Sequence, residues 1–254
     1  MNAALNARYE RVPNPHLGRD AHLWSFGTRG MPVLAFPTAG GYAHEWQSHG
    51  MVDAIGDLIA SGQIRLYCPE TNIAECWTHS EDPASQRMAR HDAYERFILH
   101  TLLPRMHAET GRRDVVSIGA SLGAFYAVHM ALKHPEAIAH AIGLSGRYQM
   151  APFLEGHHGL DGYYNNPMAY ASRLHGHALH RIRRHTRVTL VCGQGNFEGR
   201  CLTETVDLAR ICQDRDIPHH LDLWGHDVSH EFVWWRRQLR YHVLRQLRAR
   251  EACA

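Results

Sequence analysis

Ser121 is the residue whose setting most plainly suggests chemistry. It stands in Gly119-Ala120-Ser121-Leu122-Gly123, after the apolar, β-branched run Val115 to Ile118 and before the helix-forming stretch Ala124 to Lys133. A strand, a tight turn and a helix are expected in that order. Such a turn holds a serine at a strained φ/ψ, and the small flanking residues let strand and helix approach closely. The bland alternative is a Gly/Ser turn of some other α/β fold. A serine hydroxyl is a poor nucleophile at neutral pH, so it needs an imidazole to take its proton and a carboxylate to fix the imidazole tautomer. Two downstream loops offer these groups. After the strand-like run Arg187 to Cys192, the segment Gly193-Gln194-Gly195-Asn196-Phe197-Glu198 has Glu198 as its first carboxylate, whereas Glu204 and Asp207 fall within the next helix and Asp222 within a strand. Following the last strand-like run, Gly225-His226-Asp227-Val228-Ser229-His230-Glu231 carries two histidines, His226 and His230, either of which suits the base.

The elements that must position these groups alternate along the chain. His22 to Gly27 and Pro32 to Phe36 read as an initial hairpin or two adjacent strands, Glu45 to Ala60 as a helix and Ile64 to Cys68 as a strand. The polar stretch Pro69 to Asp82 is expected to overhang the site, with Trp77 lining an acyl pocket or pinning the loop. A long helical pattern runs from Pro83, with Pro104 as its kink or last turn. Strands follow at Asp114 to Ile118, Ile138 to Leu144, Arg187 to Cys192 and His220 to Trp224, with a helix from about Cys201 to Asp214 and a terminal helix beyond Trp235. This predicts an α/β fold with a mostly parallel central sheet and helices on both faces. The whole chain, 1–254, reads as one domain. The segment 147–186 is rich in Gly, His, Tyr and Asn and interrupts the alternation. It is expected either as a cap-like insertion, presenting Tyr163 and Tyr164 to substrate, or as short helices packed over the sheet edge.

Composition narrows the function classes. The 254 residues carry a formal charge of +2, from 27 basic and 25 acidic side chains, and the basic ones are spread along the chain. That distribution argues against a nucleic-acid partner or an anionic membrane surface. The Arg-rich stretch from Arg236 to Arg250 reads as the solvated face of a terminal helix, and no run approaches the ~18 apolar residues needed to span a bilayer. Six cysteines form no Cys-x-x-Cys pair, and the start Met1-Asn2-Ala3-Ala4-Leu5-Asn6 has no apolar core of signal-peptide length, so free thiols in a reducing cytoplasm are expected. The 22 histidines include neither His-Glu-x-x-His nor a Cys/His ladder of zinc spacing. No metal and no cofactor is expected, and the oligomeric state is left open.

Three stretches taken together carry a resemblance: Gly-x-Ser-x-Gly at Ser121, Gly-x-Gly-x-x-Glu ending at Glu198, and His230-Glu231-Phe232-Val233-Trp234-Trp235. They resemble the esterase D / feruloyl esterase / mycolyltransferase-like group of the α/β-hydrolase superfamily, loosely from the Pro32 strand to the Trp235 helix. In several members the catalytic histidine is followed by an aromatic two positions on and a tryptophan five positions on. His230 fits, with Phe232 and Trp235, while His226 has Val228 and Glu231 there. The resemblance thus implies a Ser121, Glu198, His230 triad. It also implies an oxyanion hole from the main-chain N–H of Leu122 and of the loop Pro37-Thr38-Ala39-Gly40-Gly41, with Ala39 as the expected donor and Thr38 or Gly40 as alternatives. Two departures stand out: Asn196 then Glu198 where feruloyl esterases usually carry Asp, which follows the mycolyltransferase-like variant, and Phe36-Pro37-Thr38 in place of His-Gly. The implied activity is serine-dependent hydrolysis of a small carboxylic ester through an acyl-enzyme. An acyltransferase or thioesterase using the same triad, and a non-catalytic binding protein on this fold, are the alternatives.

Overall fold

The computed structural model describes residues 5–78 and 81–252, so Cys253 lies outside the described residues. In chain order, β1 (Arg8–Val12), β2 (Ala21–Phe26) and β3 (Met31–Phe36) precede three short helices, α1 (Glu45–Ser48), α2 (Met51–Ala54) and α3 (Gly56–Ala60). Next, β4 (Ile64–Pro69) leads to α4 (Ala84–Phe97) and α5 (Leu103–Thr110), and β5 (Val116–Ala120) to α6 (Leu122–Lys133). Beyond β6 (His140–Leu144) come α7 (Leu160–Tyr164), α8 (Pro167–Tyr170) and α9 (Gly176–His185). The chain closes with β7 (Arg187–Cys192), α10 (Gly199–Asp214), β8 (His219–Leu223) and α11 (Phe232–Glu251).

The strands form one eight-stranded sheet in the order β1-β2-β4-β3-β5-β6-β7-β8, antiparallel at β1, β2 and β4 and parallel from β4 onward. This is the α/β-hydrolase arrangement. Every residue of β3, β5 and β6 is buried, which is why these strands read as continuous apolar runs rather than as an alternation. Side chains that alternate along a strand go to opposite layers. Ile118, Ala120 and Val191 pack against Trp46, Ile55, Trp235 and Leu239 from α1, the α2–α3 junction and α11, whereas Val188 and Leu190 pack on the other face with Phe97, Phe125 and Leu208 from α4, α6 and α10.

Three expectations are corrected. The runs at 22–27 and 32–36 are not neighbours, because the well-buried β4 lies between them, pairing antiparallel with β2 and parallel with β3. The true hairpin partner of β2 is the charged edge strand β1, Arg-Tyr-Glu-Arg-Val, whose polar composition suits an edge and hides it from a hydrophobicity search. The helix expected over 45–60 is broken twice, at Gly50, which takes φ +69°, and at Ile55, which leaves helical geometry at φ −124°. Pro104 does not mark the last turn: the helical run continues through α5 to Thr110, and the proline directly follows a π-helical stretch, Ile98–Leu102, that departs from regular α geometry.

Beyond Arg147, whose N–H donates to the Ser121 carbonyl at 3.3 Å, the segment 147–186 packs as short helices. Met150, Leu154, Tyr170, Leu179 and Ile182 are buried in the layer that holds α4, α6 and α10. Its entry is pinned by Glu204 Oε2, which accepts from the backbone N–H of Tyr148 at 2.6 Å and of Gln149 at 2.9 Å. The packed-helix reading therefore describes it. Cys68, Cys76, Cys192, Cys201 and Cys212 are unpaired and buried, and no helix among the described residues is long and apolar enough to cross a membrane.

Candidate active site

The turn from β5 to α6 holds Ser121 at φ +55° and ψ −123°, where an L side chain is strained. The turn is tight enough to require glycine on both sides. A Cβ on Gly119 would lie 2.1 Å from the Gly123 carbonyl oxygen, and one on Gly123 would lie 2.3 Å from that of Pro37. The Ser121 N–H donates to the Leu144 carbonyl at 2.9 Å, tying the strained residue to the end of β6.

The loops after β7 and β8 pack against each other and bring the other two groups to this turn. Gly195 N–H donates to the Val228 carbonyl at 2.9 Å, and His230 N–H donates to that of Asn196 at 3.0 Å. In consequence His230 Nε2 lies 3.1 Å from Ser121 Oγ, and His230 Nδ1 lies 3.0 Å from Glu198 Oε2. A carboxylate can only accept, so it fixes the proton on Nδ1 and leaves Nε2 free to accept from the serine hydroxyl. His226 is exposed and makes no hydrogen bond to this group among the described residues.

Glu198 is completely buried, and its second oxygen is also satisfied. Ser145 Oγ donates to Oε1 at 2.5 Å, and Trp235 Nε1 donates in turn to Ser145 Oγ at 3.0 Å. The Cys192 thiol, held protonated by burial and by the Glu198 charge, donates to Oε2 at 3.5 Å. The Trp235 ring also stands edge-on to the His230 imidazole, with centroids 4.8 Å apart. Sequence reasoning passes over Ser145; its signal is that it follows the buried run of the strand beside the nucleophile's own. Ser145→Ala removes a hydrogen bond to a buried charge, so kcat for a short-chain p-nitrophenyl ester should fall by about 10- to 100-fold with KM little changed. A wild-type kcat would show that Ser145 does not help hold the carboxylate.

Ser121 and His230 open onto a groove of about 480 Å³, lined also by Thr38, Ala39, Phe232 and Val233. The Thr38 N–H is engaged by Glu45 Oε1 at 2.5 Å and its hydroxyl by Oε2 at 3.0 Å, which removes Thr38 as a donor to a substrate. Ala39 is exposed in the groove, and Leu122 is the first residue of α6, whose leading N–H groups have no partner within the helix.

Three expected substrate contacts lie elsewhere. Trp77 is 1% exposed and packs edge-on to His91 and Phe125, so it pins its segment to the core. Tyr163 and Tyr164 line a separate cavity of about 320 Å³ with Leu132, Lys133 and Tyr170. That cavity adjoins the C-terminal end of α6, whereas Ser121 precedes its N-terminus, roughly 18 Å away for a helix of this length. Phe232 and Val233 take the lining role instead.

Two groups of side chains stand close enough to share a cation, their donor atoms within 4.8 Å of one another: Glu198, Cys201 and His230, and His91, Glu95 and His129. In the first, the atoms are those of the serine relay, and burial pushes the Cys201 thiol up to about 12. In the second, Glu95 already accepts from His129 at 2.8 Å and from the Lys133 ammonium at 2.8 Å. That cluster spans two helices, so sequence spacing alone gives no sign of it.

Residues 33–245 match the family model described as “Putative esterase”. No curated protein matches the sequence. Among solved structures the chain is similar to a ferulic acid esterase, at 15% identity and a TM-score of 0.71 over 92% of this chain and 95% of that one. It is similar also to the S-formylglutathione hydrolase FrmB from Staphylococcus aureus, at 12% identity and 0.71 over 95% and 96%, and to MPT51 (FbpC1) from Mycobacterium tuberculosis, at 18% and 0.68 over 92% and 96%. At these identities the likeness is one of fold.

Proposed function

For this chain, which belongs to the esterase family so described, we propose that Ser121, His230 and Glu198 form the catalytic triad of a serine hydrolase acting on small carboxylic esters. The observation that carries the reading is the unbroken line from Ser121 Oγ through both imidazole nitrogens to the Glu198 carboxylate. His230 Nε2 takes the hydroxyl proton as Oγ attacks the ester carbonyl. The N–H groups of Leu122 and Ala39 receive the negative charge that develops on the carbonyl oxygen, where fixed dipoles need no reorganisation. His230, now protonated and paired with Glu198, returns the proton to the leaving alkoxide, and the alcohol departs. Water then enters, gives its proton to His230 and attacks the acyl-serine, and collapse releases the carboxylic acid as His230 returns that proton to Ser121 Oγ.

The groove supports water, rather than a bulky alcohol, as the acceptor, because it is open to solvent and none of its lining residues comes from 147–186. None of these steps draws on a cofactor. We read the chain as one hydrolase domain, and the five unpaired cysteines fit a reducing cytoplasm. A balanced formal charge and the lack of a spanning helix among the described residues favour a small dissolved substrate over a nucleic acid or a membrane. The test is a fluorophosphonate probe followed by an ester assay. Labelling should be stoichiometric and should abolish turnover, and an unlabelled, fully active protein would refute the serine mechanism.

A further inference from the structure

At the opposite end of the sheet lies a cavity of about 580 Å³ that the ester chemistry does not use. It is built from the starts of β6, β7 and β8 and from α9 and α11, whereas the relay sits at the strand ends one strand length away, roughly 17–20 Å. Four arginines and five histidines stand among its sixteen lining residues, with no carboxylate. In a chain whose total charge is only +2, that is a strong local excess.

The charges are poorly compensated. Arg183 is engaged by Asp216 Oδ2 at 2.9 Å and by the Arg215 carbonyl. Arg184 and Arg187 have no side-chain partner among the described residues, and Arg245 donates to His220 Nε2 at 2.6 Å, which supplies no negative charge. Asp222, 3.0 Å from His242 Nε2, is the nearby acid, and it also accepts from Trp224 Nε1. Burial, reinforced by His220 and Arg245, nevertheless pushes His242 down to about 4. Its ring is therefore neutral and adds no charge. A second sign of a missing ligand is Thr186 Oγ1, which lines the cavity in a residue 4% exposed and has no hydrogen-bond partner.

We propose that this cavity binds a small polyanion carrying two or more linked phosphates. The guanidiniums without a carboxylate partner come from two sides, Arg184 and Arg187 at the α9–β7 junction and Arg245 on α11, so they can fork onto more than one phosphoryl group. Volume agrees, since about 580 Å³ lies within the size range of small-molecule sites. A concave pocket walled by five elements suits a compact ligand, whereas a nucleic-acid strand would call for a continuing basic stripe.

Pyrophosphate is the probe. Isothermal titration of the whole chain at low salt should show one saturable site, and pyrophosphate should raise the thermal midpoint. The double variant Arg184→Ala/Arg187→Ala, and separately Arg245→Ala, should each weaken binding by at least about tenfold. All three side chains are exposed, so both variants should fold and keep wild-type ester turnover, which checks their integrity. Absence of saturable heat, an affinity unchanged in both variants, or equal competition by duplex DNA at matched phosphate concentration would each overturn the proposal.

Discussion

Ser121→Ala should lower turnover of an activated short-chain ester by about ten-thousand-fold, while the far-ultraviolet circular dichroism and the thermal midpoint stay near wild type. The size of the effect follows from the lack of a substitute hydroxyl. Ser145 is the other serine in this network, but it is wholly buried and its proton is committed to Glu198 Oε1 at 2.5 Å, so it cannot reach a substrate in the groove. The main-chain donors at Leu122 and Ala39 remain in the variant and should leave a small residual rate above the solution reaction. Stability should survive because the Ser121 hydroxyl's protein partner is His230 Nε2, at 3.1 Å, while the strained turn is held by the backbone bond to Leu144, which alanine keeps. Turnover within a few-fold of wild type would show that another group makes the acyl bond.

The second large effect separates the two histidines of one loop. His230→Ala should cost several orders of magnitude in kcat, whereas His226→Ala should change it by less than about threefold. The contrast is positional. His230 lies 3.1 Å from the serine and 3.0 Å from a buried carboxylate, with Trp235 edge-on to its ring, while His226, four residues earlier, is exposed and makes no hydrogen bond with that group among the described residues. Glu198→Gln should come close to His230→Ala in severity, because an amide can present its NH2 to Nδ1 and so favour the wrong tautomer.

Much of the site can be read from the sequence because its groups are fixed by local constraints. Gly119 and Gly123 flank Ser121 because the turn leaves no room for a Cβ, so the motif and the geometry are the same fact. Glu198 and His230 stand out because they follow β7 and β8 at the carboxyl ends of a parallel sheet, where this fold places its chemistry. What escapes is set by long-range packing. Trp77, Tyr163 and Tyr164 have the composition of substrate contacts, yet the first is absorbed by the core and the other two sit beside the far end of α6. Ser145 escapes for the converse reason: its role depends on Glu198, 53 residues on, and Trp235, 90 residues on. The β1–β2 hairpin is missed because an edge strand need not be apolar, and the basic cavity because its arginines are scattered among α9, β7 and α11.

The most direct test of the account is the acyl-enzyme itself. Rapid acid quench of the wild-type enzyme mixed with p-nitrophenyl acetate, followed by proteolysis and peptide mass spectrometry, should show a single acetyl group on the peptide containing Ser121, formed within the first turnover and lost as hydrolysis proceeds. Acetyl found on another residue, or turnover with no acylated peptide even in a variant such as Glu198→Gln that slows deacylation, would contradict it.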